Sequence, residues 1–212
     1  MFKTDKVSTE TVDLLLKLDS IITEFYLAGG TALSLYFQHR QSDDLDFFSE
    51  KSINPESLLH ELTTKFSGMK DIKIQEGTLL CTIKGVKVSF MEYLYPMINP
   101  PNDWNLLKIA SIQDIACMKM VAIASRSAKK DYFDLYEIIK NITPSEVIDS
   151  LVLKYGNKID LYPFVLALTY FVEADKQPDP YRVNHSWGEI KKLLLDTQTK
   201  FYDALKNITN KN

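Results

Sequence analysis

The chain has 212 residues, a hydrophobic fraction of 45% and a formal net charge of −3. That length allows one or two small domains with a sizeable core, and the composition is that of an ordinary globular protein. No apolar run reaches the roughly 18 residues of a membrane span, the N-terminus lacks a signal-like apolar segment, and the acidic balance excludes a whole-protein basic footprint for nucleic acid.

The charge is uneven. Residues 1–66 hold 11 acids and 6 bases, whereas residues 106–140 hold 6 bases and 4 acids, and residues 186–212 hold 5 bases and 3 acids. A local basic groove on an acidic protein is compatible with RNA binding. Cys81 and Cys117 sit in apolar or mixed segments and read as buried free thiols of a reducing cytoplasm.

Val12, Leu15, Leu16, Leu18 and Ile22 recur at helical steps, predicting an amphipathic helix over 7–22. An apolar run, Phe25 to Ala28, follows as a strand. Gly29, Gly30 and Thr31 then form a turn into a helix whose apolar face is Leu33, Leu35, Tyr36 and Phe37. The two glycines permit a sharp turn with bare N–H groups, Thr31 is suited to cap the helix, and the helix N-terminus favours phosphate. Arg40 and Ser42 precede a second short strand carrying Asp44 and Asp46. Strand alternation points both carboxylates one way and Leu45 and Phe47 the other. Two hard oxygen donors side by side suit Mg²⁺, which takes its remaining ligands from water and phosphates. Asp43 reads as a solvated strand edge.

Pro55 opens a helix to about Phe66, and strands follow at 72–75, 78–83 and 86–93, the last two joined by a Lys84-Gly85 hairpin. Prolines at 96, 100 and 101 predict a loop over 95–105. From Ser111 onward the pattern is helical: to about Arg126, around 132–139, then 145–155, 161–172 and 186–208. The expected fold class is α+β, a small mixed-sheet core over 1–105 followed by a helical domain over 106–212. Tyr93, Tyr95 and Trp104 read as packing residues that could also stack a base. His39, His60 and His185 make no metal-ligand spacing. Lys119 and Arg126 share a helix face, which on spacing alone reads as solvated.

Gly-Gly-Thr followed by Asp-Leu-Asp, with Arg40 and Ser42 just before it, resembles the DNA polymerase β-type nucleotidyltransferases. Within them it is most similar to the AbiEii/AbiGii toxin family, over roughly residues 24–136. The resemblance implies a transferase that moves a nucleotide from an NTP to an acceptor hydroxyl with Mg²⁺, releases pyrophosphate, and works in a toxin–antitoxin or abortive-infection system. The implied acceptor is tRNA and the implied partner an antitoxin. The family pattern Lys-x-x-Ala-x-x-x-Arg, then a basic residue and Asp-x-x-Asp-Leu, falls on Lys119, Ala122, Arg126, Lys130, Asp131, Asp134 and Leu135. It gives Lys119 a nucleotide contact and an Asp of the second element a part in activity; Asp131 is favoured for that role, and Asp134, one turn later, reads as a structural partner, with Arg126 as a candidate. Gly29, Gly30, Thr31, Arg40, Ser42, Lys119 and Arg126 are thus the expected nucleotide-binding residues, and Asp44 and Asp46 the metal ligands.

One departure stands out. The superfamily usually places a third carboxylate on a nearby strand, and here the corresponding residue is Ser89, with Glu92 three positions on. The alternatives are transfer to a small molecule or protein, an NTP-binding module without transfer, and a structural protein whose carboxylates serve solubility.

Overall fold

The computed structural model describes residues 2–156 and 159–209. The chain divides into two compact units, Met1–Ser111 and Ile112–Asn212. Among the described residues no helix is long and apolar enough to cross a membrane.

The first unit begins with α1 (Thr9–Leu18), whose N-cap Ser8 accepts from the Thr11 amide. β1 (Tyr26–Ala28) runs straight into α2 (Gly29–Phe37), and β2 (Leu45–Ser49) follows. α3 (Pro55–Lys65) starts at an Asn54 cap, which accepts from the Ser57 amide at 2.8 Å and contributes about 1 kcal/mol. β3 (Lys70–Gln75), β4 (Thr78–Ile83) and β5 (Val86–Glu92) form a meander. Lys84 and Gly85 both take positive φ at the β4–β5 hairpin, as the tightest hairpin turns require. β6 (Asn102–Trp104) and β7 (Leu107–Ile109) complete one sheet in the order β3-β4-β5-β2-β1-β7-β6.

One face of the sheet is apolar through its centre. Leu45, Phe47, Leu79, Val88 and Phe90 are buried, and the Phe47 and Phe90 rings stack at 5.4 Å, a pairing that adds about 1 kcal/mol beyond burial. Residues between them on the same strands, Asp46, Leu80 and Ser89, are only half-buried. This alternation leaves the opposite face open at its β3–β5 end.

The second unit is helical: α4 (Ile112–Arg126), α5 (Lys129–Asn141), α6 (Pro144–Tyr155), α7 (Tyr162–Ala167), α8 (Val172–Asp175) and α9 (Trp187–Thr209). Thr143 and Glu146 form a full capping box on α6. Lys154 on α6 and Asp114 on α4 make a fully buried ion pair at 2.7 Å. Trp187 packs on Tyr132, Phe133 and Phe171, tying α9 to α5.

The architecture is the expected α+β class, with three local differences. The sheet extends past residue 105, because β7 pairs with β1 in parallel. The span expected to be a loop contains β6, since Pro100 and Pro101 lie before the strand rather than in it. The helix expected over 161–172 is two short pieces, α7 and α8, divided around Thr169 and Tyr170.

Candidate functional site

In the first unit the site is built on the junction of β1 and α2. The strand ends at Ala28 and the helix begins at Gly29, so the whole turn is made at one residue, with φ +71°. A side chain there is doubly excluded. The backbone is in the left-handed region, and a Cβ on Gly29 would fall 2.8 Å from Asp46 Oδ2. The Asp46 carboxylate therefore lies directly against the start of α2, an outcome of antiparallel pairing that sets Ala28 beside Asp46.

Gly30 is required by a different neighbour. A Cβ there would lie 2.1 Å from Nη2 of Arg40 and 3.0 Å from Oγ of Ser42. Arg40 is 4% exposed and donates through Nη1 to the Gln41 carbonyl. A guanidinium and a helix N-terminus thus sit together at the glycine pair, giving the turn two sources of positive potential.

Thr31 does not cap α2. The N-cap is Ala28, and Thr31 is buried inside the first helical turn. Its hydroxyl donates to the Asp44 carbonyl at 2.5 Å and lies 3.0 Å from Ser42 Oγ. Thr31 instead fixes the backbone that presents the carboxylates. Asp44 precedes β2 and is exposed, while Asp46 is half-buried within it.

Asp43, expected to be a solvated edge, is a latch. Its Oδ1 accepts from the Ser8 amide at 2.7 Å and its Oδ2 from Gln41 Nε2 at 2.7 Å. Burial pushes the Asp43 carboxyl up, but the hydrogen bonds from Gln41, Ser8 and Thr11 outweigh it and hold the group below its ordinary value. The Ser8 amide is one of the donors that a helix start leaves without an intrahelical acceptor.

Ser89 stands beside Asp46 in the parallel β2–β5 register. It therefore holds the position expected for a third carboxylate. Glu92 does not substitute: its Oε1 accepts from the Ile53 amide at 2.8 Å and its side chain covers Gly77.

Hard oxygen donors from Asp44 and Asp46 fit a divalent cation that draws the rest of its shell from water and phosphate. Among the described residues there is no group of three or more His, Cys, Asp or Glu that could hold a metal by itself.

In the second unit Lys119, Arg126, Asp131 and Asp134 form one network. Lys119 Nζ lies 2.7 Å from Asp131 Oδ1 and 2.7 Å from Asp134 Oδ2. Arg126 grips Asp131 with both arms, Nε at 2.8 Å and Nη2 at 3.0 Å. Lys119 is buried, so the solvated-face reading fails for it, whereas the Arg126 side chain is 54% exposed. Burial pushes the Asp131 carboxyl up, but the Lys119 charge and the Arg126 hydrogen bonds prevail over it and over Asp134, leaving it lowered. Asp134, expected to pair with Arg126, pairs with Lys119.

The remaining candidates pack. Tyr93 lies against Phe48 and Tyr95, and Trp104 against Phe2. Cys81 and Cys117 are buried free thiols, pushed by burial to about 11 and about 12.

A mixed sheet with a glycine turn at a helix N-terminus, and carboxylates just before and within the adjacent strand, is the arrangement of a nucleotidyltransferase fold. The model of the AbiEii nucleotidyl transferase toxin family, of type IV toxin–antitoxin systems, matches residues 16–90 and 85–207. The chain belongs to that family. An uncharacterised protein of Aquifex aeolicus (strain VF5) is 37% identical over 203 residues, covering 92% of this chain and 95% of the relative. Two crystal structures from Helicobacter pylori share the fold. One, described as a candidate nucleotidyltransferase, has a TM-score of 0.59 at 19% identity and covers 95% of this chain and 98% of its own. The other, JHP933, has a TM-score of 0.51 at 20% identity and covers 96% and 98%.

Proposed function

We propose that this protein transfers a nucleotide from an NTP to an acceptor hydroxyl and releases pyrophosphate, acting as the toxin of a toxin–antitoxin pair. The observation that carries this reading is the contact of Asp46 with the Gly29 turn, where a Cβ would fall 2.8 Å from the carboxylate. Donors for phosphate and donors for a cation share one small surface.

The α2 N-terminus and Arg40 attract the triphosphate. Thr31 and Ser42 hold the Asp44 backbone in place, and Asp44 and Asp46 serve as the ligands for Mg²⁺. When bound, Mg²⁺ would neutralise charge at the reacting phosphorus and orient the phosphates. Family membership supports Lys119 as a nucleotide contact and Asp131 as a residue needed for activity. In the network Asp131 has a physical task, since it holds both Lys119 and Arg126. The favoured acceptor is tRNA in the cytoplasm, and an antitoxin is the favoured partner.

Ser89 beside Asp46 favours a second reading, an NTP-binding module without transfer. One experiment separates them. The purified protein is incubated with each labelled NTP, Mg²⁺ and total bacterial RNA, with Asp46→Ala as control. Label entering a tRNA-sized band only with the wild type is the expected result. Label on protein or on a small molecule alone removes the tRNA acceptor. Absence of any label, with Mg²⁺-dependent NTP binding intact, replaces transfer by binding.

A further inference from the structure

The open face of the first unit's sheet carries lysines in register with the carboxylates. Strand pairing gives two rows. Asp46 on β2 stands beside Ser89 on β5, which faces Leu80 on β4, which faces Lys73 on β3. One step along, Lys87 on β5 faces Thr82, which faces Lys70. Residues opposed across a sheet share a face, so Lys70, Lys73 and Lys87 lie on the face that bears Asp46.

Lys70 and Lys73 share that face only because of an irregularity. They are three residues apart, and strict alternation would send them to opposite sides. The register shifts between them, at Asp71 with φ +52°, as a bulge does. Every residue of β3 is exposed, as is Lys87. A groove of about 400 Å³ runs over this face, with Lys73, Leu80, Thr82, Lys87 and Ser89 in its lining. Lys87 also lines a second cavity, of about 360 Å³, together with Asp44. The groove therefore ends at Ser89, beside Asp46 in the register, shares Lys87 with the cavity that Asp44 lines, and reaches the sheet edge at its other end; from β2 to β3 the span is about 14 Å for three strand spacings.

Edge strands also carry lysines and bulges to block edge-to-edge pairing. That role is indifferent to the face chosen, and it leaves Lys87, on the inner strand β5, unaccounted for. Asp71, the acid in the groove lining, accepts from Thr82 Oγ1 at 2.9 Å.

We propose that this face is the track for the sugar–phosphate backbone of a nucleic-acid acceptor, with Lys70, Lys73 and Lys87 contacting successive phosphates and the acceptor end at Asp44 and Asp46. The proposal rests on the transfer reading above and gives its acceptor a path. Lysine suits this work as a mobile point charge that reads no sequence.

The test uses the full chain and fluorescently labelled bacterial tRNA. Anisotropy gives affinity for the wild type, for Lys70→Gln/Lys73→Gln/Lys87→Gln, and for the control Lys17→Gln/Lys65→Gln/Lys200→Gln. Three phosphate contacts on a single strand weaken binding about 20-fold between roughly 50 and 200 mM salt. The track variant is expected to lose that part of the salt dependence, while NTP affinity and the control variant keep wild-type values. An equal loss in the control overturns the track, as does unchanged RNA affinity in the track variant, including the case where it gains only self-association by sedimentation. If the wild type labels RNA while the track variant binds it normally, the track falls and transfer stands. If the wild type labels no RNA but the track variant alone loses RNA binding, transfer falls and the surface stands.

Discussion

Asp46 and Ser89 are side by side in the parallel register of β2 and β5, so the strand next to the carboxylates offers a hydroxyl where a third carboxylate would complete a metal shell. Ser89→Asp is expected to bring a third negative charge onto this face. Without a divalent cation the repulsion lowers thermal stability; with Mg²⁺ the loss reverses and metal affinity rises at least about tenfold, the range typical of a ligand-shell change. Thermal melts with and without Mg²⁺ and a calorimetric Mg²⁺ titration read both. A destabilisation that Mg²⁺ leaves untouched would place Ser89 outside the metal shell.

Gly29→Ala tests the turn. The substitution meets a φ of +71° and an Asp46 oxygen 2.8 Å away, and is expected to cost about 1–3 kcal/mol. Denaturant unfolding gives the cost. Combining it with Asp46→Ala removes the oxygen but keeps the backbone strain, so the double variant is expected to fall short of the sum. Full additivity would show that the carboxylate does not press on the turn.

The site's parts were unequally legible. Gly29, Gly30, Asp44 and Asp46 stand within eighteen positions of one another, and one strand–helix–strand reading brings them together. Ser89 could be singled out only through the known family pattern, since its place beside Asp46 is a matter of long-range register. Asp43 was missed because its partner is the Ser8 amide, 35 residues away, and backbone donors leave no mark in a side-chain pattern. Thr31 was given the wrong task because Gly29 makes the turn alone, moving the helix start three residues earlier. Lys119 was misread as solvated on spacing alone. Its burial depends on Asp131 and Asp134 arriving from the next helix.

Neighbouring aspartates should separate by role. Asp43→Ala removes the acceptor for the Ser8 amide and is expected to destabilise by about 1 kcal/mol while leaving Mg²⁺ binding unchanged. Asp44→Ala removes an exposed carboxylate next to Asp46 and is expected to leave stability equal or raised, with Mg²⁺ binding lost. Unfolding curves and Mg²⁺ titrations on the two variants decide the assignment, and a Mg²⁺ defect confined to Asp43→Ala would reverse it.

Asp131 ties the helical unit's charge network to pH. Its carboxyl is held below the ordinary range because Lys119 and Arg126 outweigh burial. A depressed folded-state value means that the unfolded chain binds the proton more readily. The stabilisation is therefore complete above the unfolded value of about 3.9 and drains away as pH falls toward the folded value. Asp131→Asn keeps the shape but removes the negative charge that Lys119 and Arg126 share. Breaking a buried pair this way costs about 3–5 kcal/mol. Unfolding followed from pH 6 down to pH 3 is expected to show a steep stability loss below pH 4 in the wild type. In Asp131→Asn the curve should start lower and be flatter over that range. Parallel curves for the two proteins would mean that Asp131 carries no proton-linked stability, and coincident curves that its pairing with Lys119 and Arg126 contributes little to holding the helical unit together.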